Sequence, residues 1–312
     1  MSIREPAFRH EALFYSGESD FLAGTLSFIR ASIAAEEPIL VAVGDGRIQA
    51  LKSELNGGGE LVQFADMAQI GRNPACIIPV WSEFVSEHAA EGRALRGIGE
   101  PIWPGRTAAE LVECQRHESL LNLAFAGAPG FWLLCPYDAD ALDSEVLEEA
   151  CRSHPFVAED SVPRTSDSYL GPGVAPSPFG GELQPPSREP DEVAFSITSL
   201  RAMRGFVADR GRSAGLDANR TADLVLAVSE VASNSVLHGG GGGHLRVWRD
   251  GDELLCEVRD HGRFDQPLVG RERPTDDQSS GRGLWLVNHL CDLVQIRSCP
   301  SGNLVRLHMR RG

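Results

Sequence analysis

Two domains of different class are predicted for this chain: an α/β domain over residues 1–157 and an α+β sandwich over residues 193–312, separated by a linker over residues 158–192. Three observations carry that division. In the first half, apolar β-rich runs alternate with runs at helical spacing, which implies a largely parallel sheet with helices on its faces. Residues 159–191 are dominated by Pro, Gly, Ser and acidic side chains and keep no apolar periodicity, so they cannot bury enough surface to offset their ordering entropy. Beyond them, two helical patterns precede hairpin-like strands, an order that lays one helical layer on a mixed or antiparallel sheet.

In the first half, residues 38–43, 60–64 and 131–135 read as buried strands, and residues 21–35, 77–90 and 107–126 as helices. Gly44-Asp45-Gly46-Arg47 follows the first of these strands, where a phosphate loop would sit, but it lacks the Gly-Lys-Ser/Thr ending that grips phosphate and Mg²⁺. Nucleotide binding is not expected there. In the second half, residues 196–213 read as a helix with Ile197, Leu200, Met203 and Val207 on one face. Asp217 is placed to cap a helix over 218–237, which the glycines after His238 close. Alternating segments at 245–249 and 253–259 join through Asp250-Gly251-Asp252, a favourable hairpin turn. A polar stretch at 263–280, a helix over 283–293 and two strands at 293–298 and 303–309, turning at Ser301-Gly302, complete the chain.

Composition narrows the function classes. With 42% hydrophobic and 23% charged residues the chain is an ordinary globular one. No apolar run approaches the roughly 18–20 residues that span a bilayer, and the amino terminus has no secretory pattern. A cytoplasmic protein without membrane contact is expected. The seven cysteines show no CxxC pair and no zinc spacing, so they read as reduced, mainly buried structural thiols. The net charge of −15 divides into −12 over 1–157, −5 over 158–192 and +2 over 193–312. Such a chain repels phosphate backbones, and direct nucleic-acid binding is not expected. Lys52 is the only lysine, so the last domain has none for phosphate or Schiff-base chemistry.

Three short motifs in the last domain combine. Glu230, Asn234 and His238 stand at i, i+4 and i+8 on one helix face, opposite Leu224, Val225, Val228, Val231 and Ala232. A carboxylate and an amide oxygen one turn apart can handle a hard cation, a water or a hydroxyl. The strand ending at Arg259 runs into Asp260-His261-Gly262, a fixed acceptor followed by a glycine that admits close backbone approach. Gly281-Arg282-Gly283-Leu284 opens a helix whose N–H groups and positive dipole end suit phosphate. Each is weak alone; their order and placement at structural junctions make them strong together.

These motifs resemble the N, G1 and G2 boxes of the GHKL ATPases, over about 120 residues, and within that superfamily they look most like the bacterial anti-sigma-factor serine kinases. The resemblance implies the Bergerat sandwich and an ATP site with Mg²⁺. Asn234 would coordinate the Mg²⁺, and Glu230 would be the catalytic base toward a serine hydroxyl. Asp260 would accept from the adenine amine beside Gly262, and Gly281, Arg282, Gly283 and Leu284 would form the phosphate cradle beneath a lid at 264–280. Phosphoryl transfer needs mainly positioning and charge neutralisation, which such a set can supply. Phe264 departs from the family, standing where its second G1 glycine usually lies. A sensor histidine kinase is the less favoured reading, because residues 158–207 contain no histidine to accept a phosphoryl group.

The first half resembles the MEDS sensory domain, through residues 8–15, Glu100-Pro101-Ile102-Trp103, Glu118-Ser119-Leu120-Leu121-Asn122 and Leu134-Cys135-Pro136-Tyr137-Asp138. That likeness implies a RecA-like α/β fold and a small, hydrophobic, hydrocarbon-derived ligand. Glu100, Trp103, Glu118 and Tyr137 are candidates for its pocket, because open α/β sheets bind ligands beyond their strand ends. The combined expectation is a regulator in which a sensory domain tunes an ATP-dependent anti-sigma factor or serine kinase. Its partners would be a sigma factor or a STAS-type anti-anti-sigma protein, and a homodimer is compatible with this reading. The alternatives are a nucleotide-gated binding module without kinase activity and a scaffold with a vestigial ATP site.

Overall fold

The computed structural model describes residues 8–55, 61–89, 93–128, 130–159, 162–171, 180–274 and 281–311, and it divides into two compact units at Ala175 and Pro176. Both fold classes match expectation.

The first unit runs β1 (Phe8–Tyr15), α1 (Gly17–Ala34), β2 (Ile39–Val43), α2 (Asp45–Leu55), β3 (Val62–Asp66), α3 (Met67–Ile70), α4 (Ile77–Ala89), β4 (Leu95–Gly99), α5 (Ala108–Ala124), β5 (Phe131–Asp138), α6 (Ser144–Ser153), β6 (Phe156–Glu159) and β7 (Val162–Thr165). Its sheet has the order β3-β2-β4-β5-β1-β6-β7 and is parallel except for the β6–β7 pair. All five residues of β2 are buried, and helices cover both faces of a sheet of this kind, which is why the strand reads as one continuous apolar run. Leu13, Tyr15, Phe21, Ile29, Val41 and Leu134 form the core on the α1 and α2 side. A reciprocal capping box starts α5: the Glu110 amide donates to Thr107 Oγ1 at 3.3 Å, and the Thr107 amide donates to Glu110 Oε2 at 2.8 Å. That cap fixes a helix with an unusual load of buried polar residues, among them Glu110, Glu113, His117, Glu118 and Asn122.

The second unit runs β8 (Asp191–Ser196), α7 (Leu200–Ala214), α8 (Ala218–His238), β9 (Gly242–Asp250), β10 (Glu253–Asp260), α9 (Arg282–Leu290), β11 (Leu293–Cys299) and β12 (Gly302–Arg310). The sheet order is β11-β12-β10-β9-β8, antiparallel throughout. Strand alternation sends Leu245, Val247, Leu254, Cys256, Val258, Val305, Leu307 and Met309 into one core with Leu224, Val228, Val231 and Ala232 of α8. Asp217 caps α8 by accepting from the Arg220 amide at 2.8 Å. On the opposite sheet face Glu257 is fully buried and receives Arg306 at 2.6 Å, Arg259 at 2.8 Å and Arg246 at 3.3 Å. Burial opposes its ionisation, but Arg306 and Arg259 outweigh burial and hold the carboxyl below the usual range.

Several local expectations need correction. The linker is shorter than 158–192, because β6 and β7 extend the first sheet and β8 begins the second. All four residues of β7 are exposed, so no apolar face betrayed it, and β8 is an edge strand with a single partner. The helix expected from residue 196 begins at Leu200: Ser196 pairs with Gly242, its amide donates to Ser199 Oγ at 2.9 Å, and Ile197 stands 67% exposed in the turn. After β2, α2 starts at Asp45, and the Arg47 and Ile48 amides bond back to the Gly44 carbonyl. Cys114, Cys135, Cys256 and Cys291 are buried thiols, while Cys76, Cys151 and Cys299 are half-buried; all seven are free. Among the described residues, no helix is long and apolar enough to cross a membrane.

Two stability predictions follow from these contacts. Thr107→Ala removes the α5 cap and is expected to cost about 1 kcal/mol in urea unfolding of the full chain. In the second unit, the hydrogen bond from His308 and then that from Arg310 hold Glu253 down to about 2 against the opposing effect of burial. A depressed carboxyl stabilises the fold above its ordinary pKa and loses that contribution as the pH falls toward 2. Glu253→Gln should therefore flatten the decline in unfolding free energy between pH values of about 4.5 and 2, measured by urea titration at a series of pH values.

Candidate functional site

α8, the end of β10, the start of α9 and the start of β12 meet in the second unit, and the predicted nucleotide residues lie where they meet. Asp260 is the pin. Its Oδ2 accepts from the Ser235 hydroxyl of α8 at 2.6 Å. Its Oδ1 accepts from the Gly262 amide at 2.7 Å and from Asn303 Nδ2 of β12 at 3.3 Å. A carboxylate offers about four acceptor positions, so three internal donors leave one for an outside N–H. Gly262 has no room for a side chain: a Cβ there would sit 2.9 Å from Asn303 Nδ2, 3.0 Å from Asp260 Oδ1 and 3.1 Å from the Gly239 Cα.

Glu230 and Asn234 are half-buried on α8, one turn apart. Gly283, the second residue of α9, packs directly against both. A Cβ on it would lie 3.0 Å from Glu230 Oε2 and 3.4 Å from Asn234 Nδ2. Gly281 takes the N-cap position with φ 92°, a left-handed conformation that favours glycine, and it has no side chain with which to cap the helix. The arrangement thus sets a carboxylate, an amide and the start of a nine-residue helix side by side. Groups of these types suit a phosphate chain with a cation: a helix-start dipole with its N–H groups attracts anionic oxygen, and a carboxylate with an amide oxygen can hold a hard metal or a hydroxyl. Arg282 opens α9, whereas Leu284 is 5% exposed and gives its side chain to the core.

Among the described residues, two contacts tie the segment after Gly262 to the rest of the unit. The Phe264 amide donates to Asn303 Oδ1 at 3.1 Å, with Ser298 Oγ at 3.2 Å, and the Gly270 carbonyl accepts from buried Asn288 Nδ2 at 2.8 Å. Phe264 packs its ring against the core, and its backbone is not in the left-handed region, so a non-glycine residue is accommodated here. Of the expected lid at 264–280, residues 275–280 lie outside the described residues. Sequence reasoning missed Ser235, Ser298 and Asn303. Ser235 adjoins Asn234, but nothing local marks Asn303 as the partner of Asp260, 43 residues away.

A cavity of about 950 Å³ lies elsewhere, on the sheet face away from the helices, with Arg246, Arg259, Arg297, Arg306 and Glu182 in its lining. It shares Asp260 with the predicted site and none of Glu230, Asn234, Gly281 or Gly283. The convergent polar groups, rather than that cavity, define the candidate site, because only they combine a cation-binding pair with a helix start.

In the first unit the four candidate pocket residues do not form one group. Glu100 accepts from Tyr15 at 3.0 Å and pairs with Arg47. Trp103 lies under the Arg106 guanidinium, 3.7 Å from ring centroid to Cζ. Glu118 and Tyr137 are buried together around His154, with the Tyr137 ring edge-on to the imidazole at 5.6 Å. His10 is fully buried within the same cluster.

Comparison with known proteins agrees with this division. Residues 9–155 match the family model of MEDS, the MEthanogen/methylotroph, DcmR Sensory domain. Residues 193–309 match that of the histidine kinase-like ATPase domain. No curated protein matches the chain in sequence. Among solved structures it is similar to the RsbU and RsbW domains of Rv1364c from Mycobacterium tuberculosis, at 21% identity over 38% of this chain and 32% of that one, TM-score 0.29. It is also similar to the Acinetobacter baumannii histidine kinase AdeS, at 13% identity over 39% and 68% of the two chains, TM-score 0.24. The cytoplasmic domain of EssC shares 12% identity over 47% of this chain and 29% of its own, TM-score 0.29. This chain therefore spans about a third of the Rv1364c structure.

The two site glycines predict opposite stability effects. Gly262→Ala forces its Cβ against backbone and a pinned carboxylate, and it should destabilise the chain by roughly 1–3 kcal/mol. Gly283→Ala meets the movable end of Glu230 within a helix, where Ala exceeds Gly by about 0.5–1 kcal/mol, so its unfolding midpoint in urea should hold or rise. Equal losses for both would show that the packing around Gly283 is not as described.

Proposed function

We propose that this chain, which joins a MEDS domain to a histidine kinase-like ATPase domain, is a signalling regulator whose second unit binds ATP with Mg²⁺ and acts on a protein partner. The observation that carries the reading is the packing of Gly283 against Glu230 and Asn234, beside an Asp260 carboxylate with one acceptor position to spare. In this proposal Asp260 receives the adenine amine, Asn234 holds Mg²⁺ on the phosphates, and the start of α9 receives phosphate oxygen. Glu230 is the base that takes the proton of a serine hydroxyl as its oxygen attacks the γ-phosphorus and ADP leaves.

The partner class follows from the Glu-x-x-x-Asn-x-x-x-His-Gly helix at residues 230–239, which resembles the anti-sigma-factor serine kinases. The second unit would bind a sigma factor or phosphorylate a STAS-type anti-anti-sigma protein, and the first unit would tune it through a small ligand.

Calorimetric titration of the full chain with ATP, with and without Mg²⁺, tests the binding claim. Asp260→Asn should weaken ATP by about 1.5–3 kcal/mol, the range for a hydrogen bond to a charged group, and Asn234→Ala should abolish the Mg²⁺ dependence. Absence of ATP binding by the unsubstituted chain at millimolar nucleotide would end the proposal. Glu230→Ala should keep ATP affinity and slow phosphoryl transfer to a STAS domain by ~10²–10⁴. If the unsubstituted chain and Glu230→Ala bind ATP equally and are equally inert as kinases, the second unit is a nucleotide-gated binding module.

A further inference from the structure

Four side chains far apart in sequence converge inside the first unit. His10 comes from β1, Cys135 from the adjacent β5, Glu118 from α5, and His154 from the residue that ends α6. One donor atom from each lies within 4.8 Å of all the others. His10 Nε2 is 3.1 Å from Glu118 Oε2 and 3.4 Å from Cys135 Sγ, and His154 Nε2 is 3.3 Å from the same Glu118 oxygen. None of the four is more than 1% exposed.

The surrounding hydrogen bonds decide where the imidazole protons are. Asn122 Nδ2 donates to the Ser153 carbonyl at 2.7 Å, which turns Asn122 Oδ1 toward His10 Nδ1 at 3.2 Å. An amide oxygen only accepts, so His10 Nδ1 carries a proton. His154 Nδ1 lies 2.8 Å from the Ala150 carbonyl and carries a proton for the same reason. In the neutral form of each ring Nε2 then has only a lone pair to offer, and both Nε2 atoms approach one carboxylate oxygen. His154 Nε2 and Glu118 Oε1 have no hydrogen-bond partner in the described structure. Of the four side chains only the Cys135 thiol, 3.4 Å from His10 Nε2, still has a proton to give, so the buried carboxylate and two lone pairs are short of donors, which a cation between them would remedy.

We propose that His10, Glu118, Cys135 and His154 form a four-ligand site for one divalent transition-metal ion of the zinc class. A tetrahedral centre with Zn–N and Zn–O bonds of about 2.0–2.2 Å and a Zn–S bond near 2.3 Å sets its donor atoms roughly 3.3–3.8 Å apart. The three separations above already approach that spacing. Both Nδ1–H groups bond to carbonyl oxygens, the usual outer support of metal-bound histidine. A thiolate with two imidazoles and a carboxylate suits borderline-soft cations and not Mg²⁺ or Ca²⁺. Binding is balanced: Cys135 releases its thiol proton to solvent as the sulfur–metal bond forms, and thiolate plus carboxylate neutralise the dication. The ion would tie β1, β5, α5 and α6 together at one point. With all four positions filled by protein it is a closed site, structural or metal-sensing rather than catalytic.

The probe is Co²⁺, added to full-length protein stripped by chelator, both in the native state and during refolding from denaturant. One Co²⁺ per chain is expected, with the intense d–d bands of a tetrahedral centre and a thiolate-to-cobalt charge-transfer band, both erased by Zn²⁺. Cys135→Ser, close to isosteric, should abolish the charge-transfer band. Asn122→Ala should weaken Co²⁺ by about 10–100-fold through loss of the outer support. Failure of the unsubstituted chain to retain Co²⁺ in both arms would overturn the site and leave a proton-sharing cluster. A charge-transfer band that survives Cys135→Ser would place the metal on another cysteine and overturn it as well.

Discussion

The Asp260 carboxylate accepts from three elements at once: the Ser235 hydroxyl of α8, the Gly262 amide beyond β10 and the Asn303 amide of β12. Hydrogen bonds to a charged acceptor contribute about 1.5–3 kcal/mol each, enough for this one group to set how α8 lies against the sheet. The consequences spread outward. Asn303 also receives the Phe264 amide and the Ser298 hydroxyl, so the start of the 264–274 segment is fixed to the same pin. With α8 so placed, Glu230 and Asn234 come against Gly283, and only a side chain as small as hydrogen allows that approach without moving the carboxylate. Buried polar networks of this kind specify a single geometry because any unpaired member is costly.

The two units handle a buried carboxylate in opposite ways. Glu257 meets three arginines, all obligatory donors, and its site is closed by the protein alone. Glu118 meets two imidazoles whose protons already belong to backbone and amide oxygens, and a thiol stands beside them. The first arrangement is complete as a structural ion-pair network. The second has a carboxylate and two imidazole lone pairs with one thiol proton among them, and a cation placed there would complete it. Donor inventory, rather than burial, separates the two.

This also reorders the first unit's candidate residues. Glu100 is satisfied by Tyr15 and Arg47, and Trp103 by the Arg106 stack, so both have local structural partners. Glu118 and Tyr137 belong instead with His10, Cys135 and His154.

What the sequence by itself determined is whatever depends on chain-local geometry. The strand at 39–43, the α8 face bearing Glu230 and Asn234, the hairpin through Gly251 and the glycines opening α9 were all legible, because period and turn chemistry are fixed within a few residues. Where local pattern was thin it failed: β7 is wholly exposed, β8 is an acidic edge strand, and Ile197 sat one turn outside the helix it seemed to begin. Only the tertiary structure decided which distant residues meet. His10 and Cys135 come together because β1 and β5 are parallel neighbours that put both side chains on one face, 125 residues apart. Asn303 reaches Asp260 because β10 and β12 pair in a register that sets these two residues opposite each other. Cysteine spacing showed no metal pattern for the same reason: strand order, which periodicity does not encode, assembled the ligand set.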